Sequence, residues 1–135
     1  GDAEDTLNFK DALLHWARKQ TQGYEGVELK GWKSFKDGLA LCALIHKHRP
    51  QLIGDWDSLD HSNAPSVAFA AAEKYFGLEQ YLEPGDLAKM DEMSTVVYVS
   101  EYYYGIYEQR KLDLAAKKIG KVIQLTITND ALREK

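Results

Sequence analysis

Four histidines, one cysteine and a scatter of carboxylates are the groups in this 135-residue chain that could hold a metal or move a proton. His46 and His48 lie two apart, hence on different faces of a helix, and His15 and His61 belong to separate segments, so no metal site is expected. Cys42 is the only cysteine and sits in an apolar run, where a free thiol acts as a small hydrophobe; this fits a reducing, cytosolic setting. There is no nucleophile elbow, glycine-rich phosphate loop or metalloprotease helix. The stretch Asp55-Trp56-Asp57-Ser58-Leu59-Asp60 lacks the central glycine and the twelfth-position Glu of a calcium loop. The remaining carboxylates occupy surface-like positions, and neither catalysis nor a cofactor is expected.

The cations are more informative. Arg18 and Lys19 close the first helical segment, Lys30, Lys33 and Lys36 lie in or beside a long loop, and Lys47 and Arg49 close a central apolar segment. Cations at helix C-termini have an ordinary explanation, since each interacts favourably with the helix dipole by about 0.3–1 kcal/mol. Grouped around a loop that also carries Tyr24 and Trp32, they form a surface suited to an anionic head group or an acidic protein. Overall the chain carries a net charge of −4, which argues against non-specific nucleic-acid binding.

The elements that must position these groups read as helices. At 135 residues, with three Trp, eight Tyr and four Phe, one core is expected. No apolar run approaches the ~18 residues of a membrane span, and the N-terminus lacks a signal-peptide pattern. The acidic leader 1–5 reads as a linker or expression remnant. A helix is expected from Thr6, capped by Thr6, burying Phe9, Ala12, Leu13 and Trp16 and turning Lys10, Asp11, Arg18 and Lys19 outward. Residues 21–33 read as a loop pinned by Tyr24, Val27, Leu29 and Trp32. A central helix between Phe35 and Arg49 opens on Asp37-Gly38, and its uncharged run 39–45 must be buried on more than one face. It ends at Pro50. Asn63-Ala64-Pro65 opens a further helix that buries Val67, Ala68, Ala71, Ala72 and Tyr75 and stops at Gly77. A short turn of helix follows Glu83-Pro84.

Residues 94–104 are β-branched and aromatic enough for a strand on propensity alone. Val96, Val99, Tyr103 and Ile106 nevertheless keep helical spacing, and no partner strand is visible, so a helix is expected. From Gln109 onward Leu112, Ala115, Ala116, Ile119, Val122 and Ile123 form an amphipathic stripe that continues to Ile127 and Leu132. This is more apolar surface than the globular core needs, and a partner or a following domain would cover it.

Trp16, the Gly23-Tyr24 loop, the run from Phe35 to Pro50 and the long C-terminal helix together resemble the calponin-homology domain over about residues 9–107. The closer similarity is to the second domain of tandem actin-binding regions of the α-actinin and β-spectrin kind. The resemblance implies an all-α fold of about four principal helices, with domain boundaries at 6–108 and a neck at 109–135 leading towards a rod or spectrin-type repeat. It also implies a cytoplasmic, cytoskeletal module that binds F-actin chiefly through a preceding domain, with Lys10, Leu14 and Arg18 of this one nearest the filament. Phosphoinositide binding is implied for the segment 21–36 and for Lys47, giving the candidate set Lys19, Tyr24, Lys30, Lys33, Lys36, Lys47 and Arg49. Glu25, directly after the loop tyrosine, departs from that pattern and repels phosphate. Asp91-Glu92-Met93 departs too, with Met93 where relatives carry a lysine that helps hold paired domains closed. The rival expectation is a single regulatory adaptor domain that binds a signalling protein or a phosphoinositide surface without actin.

Overall fold

The computed structural model describes residues 2–133, and for residues 4, 6 and 7 the backbone alone. Gly1 of the acidic leader and residues 134–135 of the neck lie outside the described residues. The chain forms α1 (Asp2–Gln20), α2 (Leu39–His46), α3 (Pro50–Ile53), α4 (Ala64–Phe76) and α5 (Glu92–Arg133), with 3₁₀ turns at Trp32–Phe35, Trp56–Ser58 and Pro84–Lys89. No strand occurs among the described residues. Residues 94–104 are helical, as their periodicity rather than their β-propensity requires.

The core is built around α2. Residues 40–45 are all buried, and they can be, because every one is apolar or a thiol. Cys42 Sγ donates to the Ala64 carbonyl at 3.3 Å, and burial, with Asp37 adding to it, pushes the thiol up to about 12. The helix opens at Gly38, whose φ of 82° lies in the left-handed region. A Cβ there would meet the Pro65 nitrogen at 2.6 Å, so glycine allows both the turn and the close approach of α4. The segment expected as one helix from Phe35 is therefore two pieces, a 3₁₀ turn ending at Phe35 and α2 proper from Leu39, with Asp37 Oδ1 accepting from Leu39 N–H at 3.0 Å.

Three further expectations are corrected. Helix α1 begins at Asp2, not Thr6, so Thr6 lies inside it and the leader 2–5 is helical. Its core side is Leu13 and Ala17, with Leu14 and Trp16 packed beside them; Ala12 is exposed and Phe9 is 39% exposed, because α1 meets the core only along its second half. In α5 the most deeply buried aromatic is Tyr102, whose hydroxyl meets Tyr98 Oη at 3.2 Å and donates to the Ala68 carbonyl at 3.4 Å. Tyr103 is half-buried against Trp16.

Helix α5 starts after Asp91, whose Oδ1 accepts from Ser94 N–H at 2.7 Å in the manner of an N-cap. It then runs 42 residues without a break, so the boundary expected between 108 and 109 falls inside one helix. Ile106 is its last buried residue, and residues 114–133 are exposed throughout, Ile119, Val122, Ile123 and Ile127 among them.

Candidate functional site

The buried run ends at Ile45, His46 turns back to Tyr24, and the polar residues that follow, Lys47, His48 and Arg49, emerge together just past the end of α2. Lys47 N–H bonds back to Ala43 O, and the amides of His48 and Arg49 to Ile45 O, which tightens the turn before Pro50 starts α3. This corner faces α5. Arg49 Nη2 donates to both oxygens of Asp113 at 2.6 Å, its Nη1 donates to the His48 carbonyl at 2.9 Å, and the guanidinium lies 4.9 Å over the Tyr75 ring.

His48 is the hub of the corner. Arg110 Nη1 donates to His48 Nδ1 at 3.0 Å, and His48 Nε2 lies 3.0 Å from Gln20 Oε1. A guanidinium can only donate, so Nδ1 accepts and Nε2 carries the proton. The imidazole is thereby neutral. Burial lowers its pKa to about 4, helped by the neighbouring charges of Arg110, Lys47 and Arg49 and opposed by Asp113. Between this corner and α5 runs a groove of about 720 Å³ lined by Lys47, Arg49, Arg110, Asp113, Leu114 and Lys117, among others. A second groove, lined in part by Trp16, Tyr103 and Tyr107, shares Lys47, His48 and Arg110 with it.

Of the expected phosphoinositide set, Lys47 and Arg49 line these grooves and Lys19, Tyr24, Lys30, Lys33 and Lys36 do not. Lys19, Lys30 and Lys33 are exposed, and Lys36 is half-buried. Tyr24 is turned inward: its hydroxyl is bonded to His46 Nδ1 at 2.9 Å, and its ring packs against His46 and Trp56. Trp56 in turn donates to Glu25 O at 3.2 Å, and Trp32 is buried and stacked on Phe35. The loop's aromatic residues hold it to the core, while Lys30 and Lys33 face solvent together with Glu25 and Glu28.

Each member of the expected filament-facing set has an internal partner. Lys10 is not turned freely outward; its Nζ pairs with Glu92 at 2.7 Å and its side chain is 18% exposed. Leu14 packs against the core. Arg18 is exposed, yet its Nε donates to Leu29 O at 2.8 Å and its Nη2 to Lys30 O at 3.0 Å, tying the loop to α1. His48, Gln20, Arg110, Asp113 and Lys117 were missed as site residues. The i, i+3, i+7 spacing of Arg110, Asp113 and Lys117 was the available signal, since it puts all three on one helix face.

No cluster of three or more His, Cys, Asp or Glu among the described residues is arranged to hold a metal ion, and no described helix is long and apolar enough to cross a membrane. The family model for the calponin homology (CH) domain matches residues 8–107, and the chain belongs to that family. It is 41% identical to alpha-actinin A of Dictyostelium discoideum over 126 residues, covering 88% of this chain and 14% of that protein. It is 42% identical to the erythrocytic spectrin beta chain of Mus musculus over 140 residues, covering 99% and 6%. MICAL-like protein 1 of Homo sapiens is 46% identical over 101 residues, 70% of this chain and 12% of that protein. The chain is thus a calponin-homology domain of the actinin and spectrin type, and it spans a small fraction of these relatives.

Proposed function

We propose that the chain is the second calponin-homology domain of the actin-binding region of a cytoplasmic actin cross-linker, stabilising filament binding and coupling it to a rod. The supporting observation is the extension. The spectrin match covers 99% of the chain, so it runs through residues 109–133, and there α5 continues unbroken from the domain with its apolar residues uncovered. A rigid helix leaving the globule is what transmits load to a following repeat. Residues 2–5, an extension of α1 rather than a separate element, join the domain to what precedes it.

On this reading the first domain of the pair makes the main filament contacts, and α1 adds to them through the face carrying Lys10, Leu14 and Arg18, of which Arg18 is the exposed member. Closure of the pair rests on apolar contact at Met93 and Val97, which are 48% and 52% exposed one turn apart. The lysines of the loop, Lys30 and Lys33 with Lys19, form the face for phosphoinositides, weakened by Glu25. The rival reading, a regulatory adaptor without actin, draws on the MICAL-like match, which has the higher identity without covering the whole chain. Co-sedimentation with filaments decides between them. The cross-linker reading expects binding by the chain joined to an upstream homologous domain, with weak or no binding by the chain alone. Failure of the joined pair to sediment overturns it.

A further inference from the structure

The two grooves beside α5 join into one recess with two characters. Toward the free part of α5 it is cationic, with Lys47, Arg49, Arg110 and Lys117 facing one carboxylate, Asp113. Toward α1 it is aromatic, and Tyr107, 51% exposed, is its accessible ring. This density of positive charge stands out in a chain whose net charge is −4. Among the described residues only Arg49 of the four cations has a carboxylate partner. Arg110 directs a donor to a neutral imidazole instead, and Lys47 and Lys117 form no ion pair among the described residues.

We propose that this recess docks an acidic segment of a partner protein, whose carboxylates pair with Lys47, Arg110 and Lys117 and whose adjoining aromatic residue meets the exposed Tyr107, already flanked by Tyr103 and Lys111. Asp113 supplies the argument for carboxylate chemistry: it already occupies the recess, held through both its oxygens by Arg49. The three remaining cations repeat that environment without its anion. A peptide is favoured because the cations are spread along the groove between the end of α2 and α5, a line that the successive carboxylates of an extended chain can follow. Binding has a built-in reporter. Carboxylates beside His48 offset Arg110, Lys47 and Arg49 and raise its pKa above about 4. This inference does not depend on the actin reading.

The test uses the whole chain and a fluorescein-labelled peptide of alternating Glu and Asp around one central Phe, followed by anisotropy at low salt. Expected is saturable binding that weakens about tenfold when Arg110→Gln and Lys117→Gln are combined and is unchanged by Lys89→Gln, an exposed lysine outside the recess. In parallel, the His48 ring resonances, followed by NMR against pH, should titrate at higher pH with peptide bound. Absence of saturable binding, equal affinity of the double variant, or an unmoved His48 titration overturns the proposal. Recruitment to phosphatidylserine vesicles that is lost in the double variant, while peptide binding is not, assigns the recess to a lipid surface and overturns it as well. If circular dichroism shows the double variant unfolded, Lys117→Gln alone replaces it, since Lys117 is exposed and bonds to nothing in the core.

Discussion

At Tyr75 the ring and the hydroxyl have opposite consequences. The ring is buried on α4 and takes the Arg49 guanidinium on its face, while the hydroxyl is buried with no hydrogen-bond partner. An unmade bond in the interior costs free energy that a phenyl ring does not incur. Tyr75→Phe is therefore expected to leave stability unchanged or raise it by up to about 1 kcal/mol. Tyr102→Phe, whose hydroxyl reaches Tyr98 and the Ala68 carbonyl, is expected to lose about 1 kcal/mol. Urea denaturation of the two variants side by side checks the contrast. Residue type alone could not separate these two tyrosines, because partners more than twenty residues away, Arg49 for one ring and the Ala68 carbonyl for the other hydroxyl, decide it.

Among the elements, α5 shows most clearly which local signals win. Its first half packs on α4 at Gly105, where an added Cβ would run into the Phe76 ring. That ring is held between Tyr75 and Tyr102, with centroids 5.7 Å and 5.4 Å away, so it has little room to yield. Gly105→Ala sets an overpacking cost of about 1–3 kcal/mol against a helix-propensity gain of about 1 kcal/mol, and the clash prevails. Gly120→Ala, with nothing within 4 Å of the new Cβ, keeps only the gain. The first variant should lower the urea midpoint. The second should raise helicity by circular dichroism, and the reverse order of effects would show that α5 does not pack on α4 as described.

For the molecule as a whole, His48 links stability to pH. Its folded pKa of about 4 lies below the ordinary 6.5, chiefly through burial and then through Arg110, Lys47 and Arg49. Between those values the unfolded chain takes up a proton that the folded chain refuses, so stability is full above about pH 6.5 and is lost progressively as pH falls towards about 4. His48→Gln removes this term. The variant's stability should fall less than the wild type's over that window, measured by denaturant unfolding at each pH. Equal slopes would show that the imidazole is not held neutral at the junction of α1, α2 and α5.

The sequence by itself determined that the protein is all-helical around residues 40–45, because an uncharged run of that length has nowhere to go but the interior. It likewise determined where α4 stops, at Gly77, since the left-handed backbone there is one that glycine adopts freely. Periodicity outweighed β-propensity from Thr95 to Ile106 for the same reason: burial of one face is worth more than intrinsic preference. Only the tertiary structure decided the site. Lys47, His48 and Arg49 are read correctly as a basic helix end, but their meeting with Arg110, Asp113 and Lys117 depends on how α5 crosses that end. Long-range packing sets that crossing, and no spacing within a single helix encodes it.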